Sequence, residues 1–189
     1  MRNLVAFMHM SLDGFAGGPN GELDWIAYDE ELEKYAETIV NTVGAALYGR
    51  VTYHMMEFFR TVPDNPDSSE HERAHAAWIE AIPKVVVSTT LASSDWNNTS
   101  IIHEDLVTAI NALKEQPGKD IVIFGSPSLT QALAQLNLVD EYQLTVSPVL
   151  LGQGIQFFAP LAEKQSLQLL SRKVFASGAL GLHYQVVKS

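Results

Sequence analysis

The segment Ala45-Ala46-Leu47-Tyr48-Gly49-Arg50-Val51-Thr52-Tyr53 decides how this chain is read. Its short apolar run suits a strand buried on both faces, and the run stops at a glycine. Helical spacing takes over at once, so Gly49 marks a strand-to-helix junction carrying a guanidinium, Arg50, and a hydroxyl, Thr52. The first turn of a helix offers backbone N–H groups without intrahelical partners and the positive end of the dipole, and both favour a phosphate. Arg50 adds a bidentate donor to such a group, and Thr52 adds one more. A second junction of the same layout, Phe124-Gly125-Ser126-Pro127-Ser128, follows far down the chain. One such corner is common in α/β chains; two in one chain point to a nucleotide cofactor.

Working outward, the apolar pattern predicts strands over residues 3–10, 44–48, 85–88, 121–124 and 141–146. It predicts helices over 29–43, 50–59, 70–81, 104–116 and 127–136. Residues 166–175 and 180–187 read as two long antiparallel strands with Gly178 at the turn. Residues 14–21 are dense in Gly, Pro and Asn, which predicts a mobile loop without regular structure. Residues 61–69 and 92–100 read as loops too. Strands alternate with helices through residue 146, so the expected class is α/β in three layers. A mostly parallel central sheet carries helices on both faces and a C-terminal antiparallel hairpin at one edge. No repeat or linker interrupts the pattern, and one domain over residues 1–189 is expected.

Charge narrows the partners. Twelve Lys and Arg against 22 Asp and Glu give a formal net charge of −10. That argues against nucleic acid or an anionic membrane, since both reward clustered cations. A few local cations still suffice for one anionic cofactor. Cysteine is absent, which removes disulfides, thiolate nucleophiles and Cys-based metal sites and fits a cytoplasmic location. The apolar start is interrupted by His9 and followed at once by Asp13-Gly14, so it reads as a buried strand and not a leader. No run approaches the ~20 apolar residues of a membrane span.

The motifs Ser11-Leu12-Asp13-Gly14, Leu23-Asp24-Trp25, Gly49-Arg50-Val51-Thr52-Tyr53, Val87-Ser88, Phe124-Gly125-Ser126 and Leu138-Val139-Asp140-Glu141 occur in a recognisable order. Pro148-Val149-Leu150-Leu151-Gly152-Gln153-Gly154 and Phe157-Phe158 complete the series. Together they resemble the dihydrofolate reductase superfold. More closely, they are similar to the reductase domain of bacterial riboflavin-biosynthesis deaminase/reductases and its stand-alone relatives. The resemblance spans nearly the whole chain. It implies an NADPH-dependent oxidoreductase, commonly a homodimer, acting on a small pyrimidine- or pterin-like heterocycle. Such a substrate is either a 5-amino-6-ribosylamino-uracil phosphate or dihydrofolate-like. A non-catalytic NADP(H)-binding or interaction module on the same fold is the alternative.

By that resemblance Gly49, Arg50, Val51 and Thr52 hold the cofactor phosphates, with Arg50 at the adenosine 2′-phosphate. Ser88 and Thr89 flank the adenosine, and Gly125, Ser126, Ser128 and Leu129 lie against the pyrophosphate. Ala6, Leu12 and the loop 14–18, Gly17 included, line the nicotinamide side. The Ser11–Gly14 strand exit is expected between the two phosphate turns in the sheet. The family often has two adjacent glycines where this chain has Gly125-Ser126, with the serine hydroxyl as a compensating donor.

Reducing a C=N or C=O bond by hydride requires the acceptor to be polarised, and a carboxylate facing an N–C–N edge both holds and polarises a heterocycle. Asp13, Asp29 and Glu30 are the candidates, and Asp13 and Asp29 are expected to be catalytic and substrate-binding. Each has a plainer reading: Asp13 as a turn former before Gly14, Asp29 as a helix N-cap. Trp25 is a stacking platform for substrate or a loop anchor. His71 and His75 share a helix face but lack a third ligand, so a solvated surface is expected and no metal. Basic residues are sparse and no deaminase segment is present, which disfavours the phosphorylated riboflavin precursor as substrate.

Overall fold

Strand β1 (Leu4–Ser11) is apolar at both parities. Leu4, Ala6, Met8 and Met10 enter one core, and Val5 and Phe7 enter another. A strand buried on both faces needs neighbours on both sides and helices above and below, and β1 has them. In the computed structural model, which describes residues 1–188, the chain continues through β2 (Phe15–Gly17), α1 (Glu30–Val40), β3 (Val43–Gly49), α2 (Arg50–Met56) and α3 (Glu70–Ala81). Then come β4 (Lys84–Val87), β5 (Thr99–Ile102), α4 (Leu106–Glu115), β6 (Asp120–Phe124), α5 (Pro127–Gln135) and β7 (Glu141–Ser147). A short β8 (Ile155–Gln156) precedes the hairpin of β9 (Ser166–Val174) and β10 (Leu180–Val187).

Eight strands form one sheet in the order β5-β4-β3-β6-β1-β7-β10-β9. All neighbours from β5 to β7 are parallel, and β10 pairs antiparallel with both β7 and β9. Ile110 of α4 and Leu129 and Leu133 of α5 pack on one face. Ile39 of α1, Tyr53 of α2 and Ile79 of α3 pack on the other. Full burial of side chains such as Leu4, Leu47, Ile121 and Ile123 stabilises the sheet by about 1.5–3 kcal/mol each. The chain leaves β1 towards β3, and β6 later returns between them. In open α/β sheets such a reversal of order places the ligand crevice at the carboxyl ends of the strands.

The amino ends of the strands are tied by polar side chains. Asp140 accepts from the Leu4 N–H at 2.8 Å, pairs with the buried Lys114 and accepts from Lys188 at 2.6 Å. Asn3 donates its N–H to Asp120 and its side-chain amide to Glu141, each at 2.9 Å, and Glu141 also meets His183 Nε2 at 2.7 Å.

Four expectations change. Residues 14–21 are not devoid of regular structure, because β2 pairs antiparallel with β8, some 140 residues away, and Gly18 and Gly21 close a hydrogen-bonded turn. Residues 92–100 are not all loop, because β5 begins at Thr99 and pairs with β4 at the sheet edge. The helix expected over 50–59 ends at Met56 and tightens to a 3₁₀ turn over Glu57–Arg60. The β1 exit does not lie between the two glycine turns, since β6 stands between β3 and β1 and makes those turns direct neighbours.

Candidate active site

Gly49 ends β3 and Gly125 follows β6, and because these strands are adjacent their two turns touch. Gly125 and Ser126 are both left-handed, at φ 59° and 53°. For serine that conformation costs roughly 1–2 kcal/mol. Hydrogen bonds offset it: the Ser126 hydroxyl accepts from the Gly49 N–H at 2.9 Å and donates to the Phe124 carbonyl at 3.2 Å. A Cβ on Gly125 would lie 3.5 Å from the Thr52 methyl, an ordinary contact, so backbone angle and not space calls for glycine there. The Ser126 hydroxyl is therefore consumed in joining the turns and is no donor to a pyrophosphate. It also does not cap α5. Pro127 has no N–H, and the N–H groups of Ser128 and Leu129 at the start of α5 find no protein partner among the described residues. Ser128 is exposed and Leu129 buried.

Arg50 opens α2 exposed to solvent, and among the described residues its guanidinium makes no ion pair. Val51 is exposed beside it, and Thr52 is half-buried against Gly125. One strand over, Ser88 turns its hydroxyl inward to accept from the Thr90 and Leu91 N–H groups at 3.1 and 2.9 Å, which leaves Thr89 as the exposed group of that corner. Leu12 is exposed, and its N–H bonds to the Val149 carbonyl. Gly17 is buried in the β2–β8 pair, its carbonyl so close to Gly154 that a Cβ on Gly154 would overlap it. Ala6 does not line the groove: it points into the core and is 1% exposed.

The three carboxylates are spoken for. Asp13 accepts from the Ser11 hydroxyl at 2.7 Å and from the N–H groups of Gly152 and Leu151 at 2.8 and 3.1 Å. These bonds, Ser11's foremost, hold its carboxyl below the usual range. It clasps the β1 exit to the turn after β7 and stays ionised, the opposite of a proton donor. Asp29 caps α1 by accepting from the Leu32 N–H at 2.8 Å, reaches the Ser177 N–H at 3.2 Å, and is likewise held low, first by Leu32. Glu30 pairs with Lys34 along the exposed side of α1. Trp25 donates its indole N–H to the Glu22 carbonyl at 2.8 Å and anchors its own loop.

A different polar group stands near the carboxyl end of β1, on the face of the sheet that α1 covers. His9, on the same face of β1 as Phe7, touches Thr145 of β7 through Nδ1. Its ring stands edge-on to Phe7 at 5.1 Å. Burial pushes the His9 pKa down to about 4, so the imidazole is neutral at pH 7. Among the described residues Nε2 has no protein partner, and it is not sealed from solvent. Two residues back along β7 on that face, the Gln143 side-chain oxygen is buried without a partner. Aromatic contacts continue from Phe7 to Phe124 at 5.9 Å and on to Trp78 at 5.7 Å and His75. His75 is thus half-buried against Trp78 and Phe59, while His71 bridges to Glu33 of α1 at 2.8 Å. Among the described residues, no group of three His, Asp or Glu is arranged to hold a metal ion. No motif singles out His9; the signal available in the sequence is a polar residue within an apolar strand, near the end where ligands bind in open α/β sheets.

Comparisons with known proteins bear on the whole of this arrangement. The profile described as RibD C-terminal domain matches residues 2–180. Protein YyaP of Bacillus subtilis (strain 168), named as uncharacterized, is 30% identical over 183 residues, covering 97% of this chain and 94% of its own. A putative riboflavin biosynthesis protein from Shewanella sp. PV-4 superposes with a TM-score of 0.79 at 22% identity, over 98% of this chain and 99% of that one. The dihydrofolate reductase of Enterococcus faecalis, solved in complex with NADP(H), does so at 0.61 and 14% identity, over 98% and 97%. The last two likenesses establish the fold.

Proposed function

The chain belongs to the RibD C-terminal domain family, and on that footing we propose that it is an NADPH-dependent reductase of a small pyrimidine- or pterin-like heterocycle. The observation that carries the reading is the contact between the Gly49 and Gly125 turns. It sets an unpaired guanidinium beside uncapped N–H groups at the carboxyl ends of adjacent strands. The donor set fits the cofactor: Arg50 suits a 2′-phosphate, and the N–H groups of Ser128 and Leu129 suit a pyrophosphate. Ser126 is no obstacle, since its side chain packs against Gly49. Thr89 flanks the adenosine, and Leu12 and Gly17 bound the nicotinamide side. NADPH, when bound, supplies the hydride; the chain binds it, orients it and excludes water.

A phosphorylated acceptor is disfavoured because it needs a cluster of free cations, and Lys173 stands alone over the Phe175 ring. Lys84 is buried on the carbonyls that end α3, Lys114 is paired with Asp140 and Lys119 donates to Asn41. We place the protein in the cytoplasm, as one domain that pairs into a homodimer along β9. There Leu167, Leu169 and Val174 stay 40–69% exposed on an edge strand.

Titration with NADPH, followed by nicotinamide fluorescence and by thermal shift, tests the reading. Saturable binding is expected, and no response at millimolar cofactor would end it. Occupation of Asp13 and Asp29 in structural roles favours, as the second reading, a binding module without turnover. NADPH binding with no oxidation across a panel of pterins, pyrimidines and quinones would select that module.

A further inference from the structure

Asp13, Asp29 and Glu30 are each engaged elsewhere in the proposed reductase, and the geometry of β1 and β7 supplies another group. In register, His9 lies opposite Thr145, which in turn lies opposite Gly181 of β10. Gly181 carries the rings of Tyr35 and Phe175, either of which a Cβ there would meet at about 3.2 Å, so α1 roofs this side of the sheet. On the other side of β1, Phe7 pairs with Phe124, and the Gly125 N–H bonds to the Phe7 carbonyl at 3.1 Å. His9, two residues on, therefore stands beside the Gly125-Ser126 turn. Phe7, which its ring meets edge-on, leads through Phe124 to Trp78.

The imidazole and the Thr145 hydroxyl bring no negative charge to this wall, and Lys173 of β9, in register with Gly181 and 5.0 Å over the Phe175 ring, adds a cation. A hydrogen-bonding wall without a carboxylate does not compensate a cationic ring in a site of low polarity, whereas it pairs well with ring carbonyls and imines. Thr145 fixes one ring nitrogen and thereby the plane of the imidazole, leaving Nε2 to a ligand.

We propose that His9, oriented by Thr145, contacts the acceptor through Nε2 and makes the site specific for a flat, uncharged heterocycle bearing C=O or C=N groups, in place of an amidinium-type ring that needs a carboxylate. The substrate class rests on the reductase reading, but binding at this crevice is measurable without it.

Lumazine, a neutral pteridine dione, and 2,4-diaminopteridine, which readily forms a cation, are compared by calorimetry with and without NADPH. Wild type binds lumazine more tightly. His9→Phe, which keeps the ring and removes both nitrogens, weakens lumazine about tenfold or more, as loss of one buried hydrogen bond would. It leaves NADPH affinity within about twofold of wild type. His9→Gln restores part of the loss, and Thr145→Val shows a smaller loss in the same direction. A preference for the diamine, no lumazine binding by wild type, or unchanged lumazine affinity in His9→Phe would each overturn the proposal. Absence of NADPH binding alone strikes the cofactor reading and leaves the lumazine result to stand or fall by itself.

Discussion

The two ends of the central sheet are built differently. At the amino ends Asn3, Lys114, Asp120, Asp140, Glu141, His183 and Lys188 engage one another and the backbone, and the exception is Arg2, with one nitrogen buried and unpartnered. At the carboxyl ends Arg50, Thr89, the first N–H groups of α5 and His9 Nε2 have no such partners among the described residues. Polar groups that satisfy one another close a structure, whereas groups aimed at a crevice and left without partners invite a ligand. The amino end holds the sheet together, and the carboxyl end has donors to spare.

The sharpest way to break this contrast is to damage the closed end. Asp140→Ala strands the buried Lys114 cation and the Leu4 N–H, a loss of about 3–5 kcal/mol. A fall in Tm of about 10 °C or more is expected by calorimetry, with NADPH binding by the folded protein unchanged. If Asp140→Ala melted like wild type, the closed end would not be what stabilises the sheet.

Acid probes the same group more gently. Burial works to raise the Asp140 pKa, but hydrogen bonds from Lys114, Lys188 and the Leu4 N–H overcome it and hold the carboxyl below its ordinary 3.8. A carboxyl depressed on folding contributes stability that is present above its unfolded pKa and lost as pH falls through the folded one. Wild-type Tm should therefore drop on acidification below about pH 4 more steeply than that of Asp140→Asn.

Next in size is the join between the turns. Ser126→Ala removes the acceptor of the Gly49 N–H and should cost about 1–3 kcal/mol in urea unfolding. Ser126→Gly, freed of left-handed strain, should lose less. The smallest stability effect belongs to Arg50→Ala, within about 0.5 kcal/mol of wild type because the side chain is exposed and unpaired. Its effect on ligand should be larger: NADPH weakened about tenfold or more, and NADH less. Equal weakening of the two would remove Arg50 from the 2′-phosphate.

Much of the fold was legible because its signals are local. β1, β3, β4 and β6 are apolar runs ended by turn residues, β7 alternates polar with apolar residues, and α3 begins at Ser69 and Glu72, which form a reciprocal capping box. β5 was hidden because Thr99-Ser100-Ile101-Ile102 is only half-buried at an edge. β2 and β8, three and two residues long, exist only because each finds the other.

The sequence by itself determined the class of sheet and the position of the two glycine turns, since strand, glycine and helix start are consecutive residues. Tertiary structure decided what each polar side chain is for. Asp13 and Asp29 looked available until the N–H groups of Leu151, Gly152 and Ser177 arrived from more than a hundred residues away. His9 looked incidental until Thr145 fixed one of its nitrogens and left the other free. Hydrogen bonding is satisfied within about 3 Å in space, and nothing in the order of the residues reveals which groups will come that near.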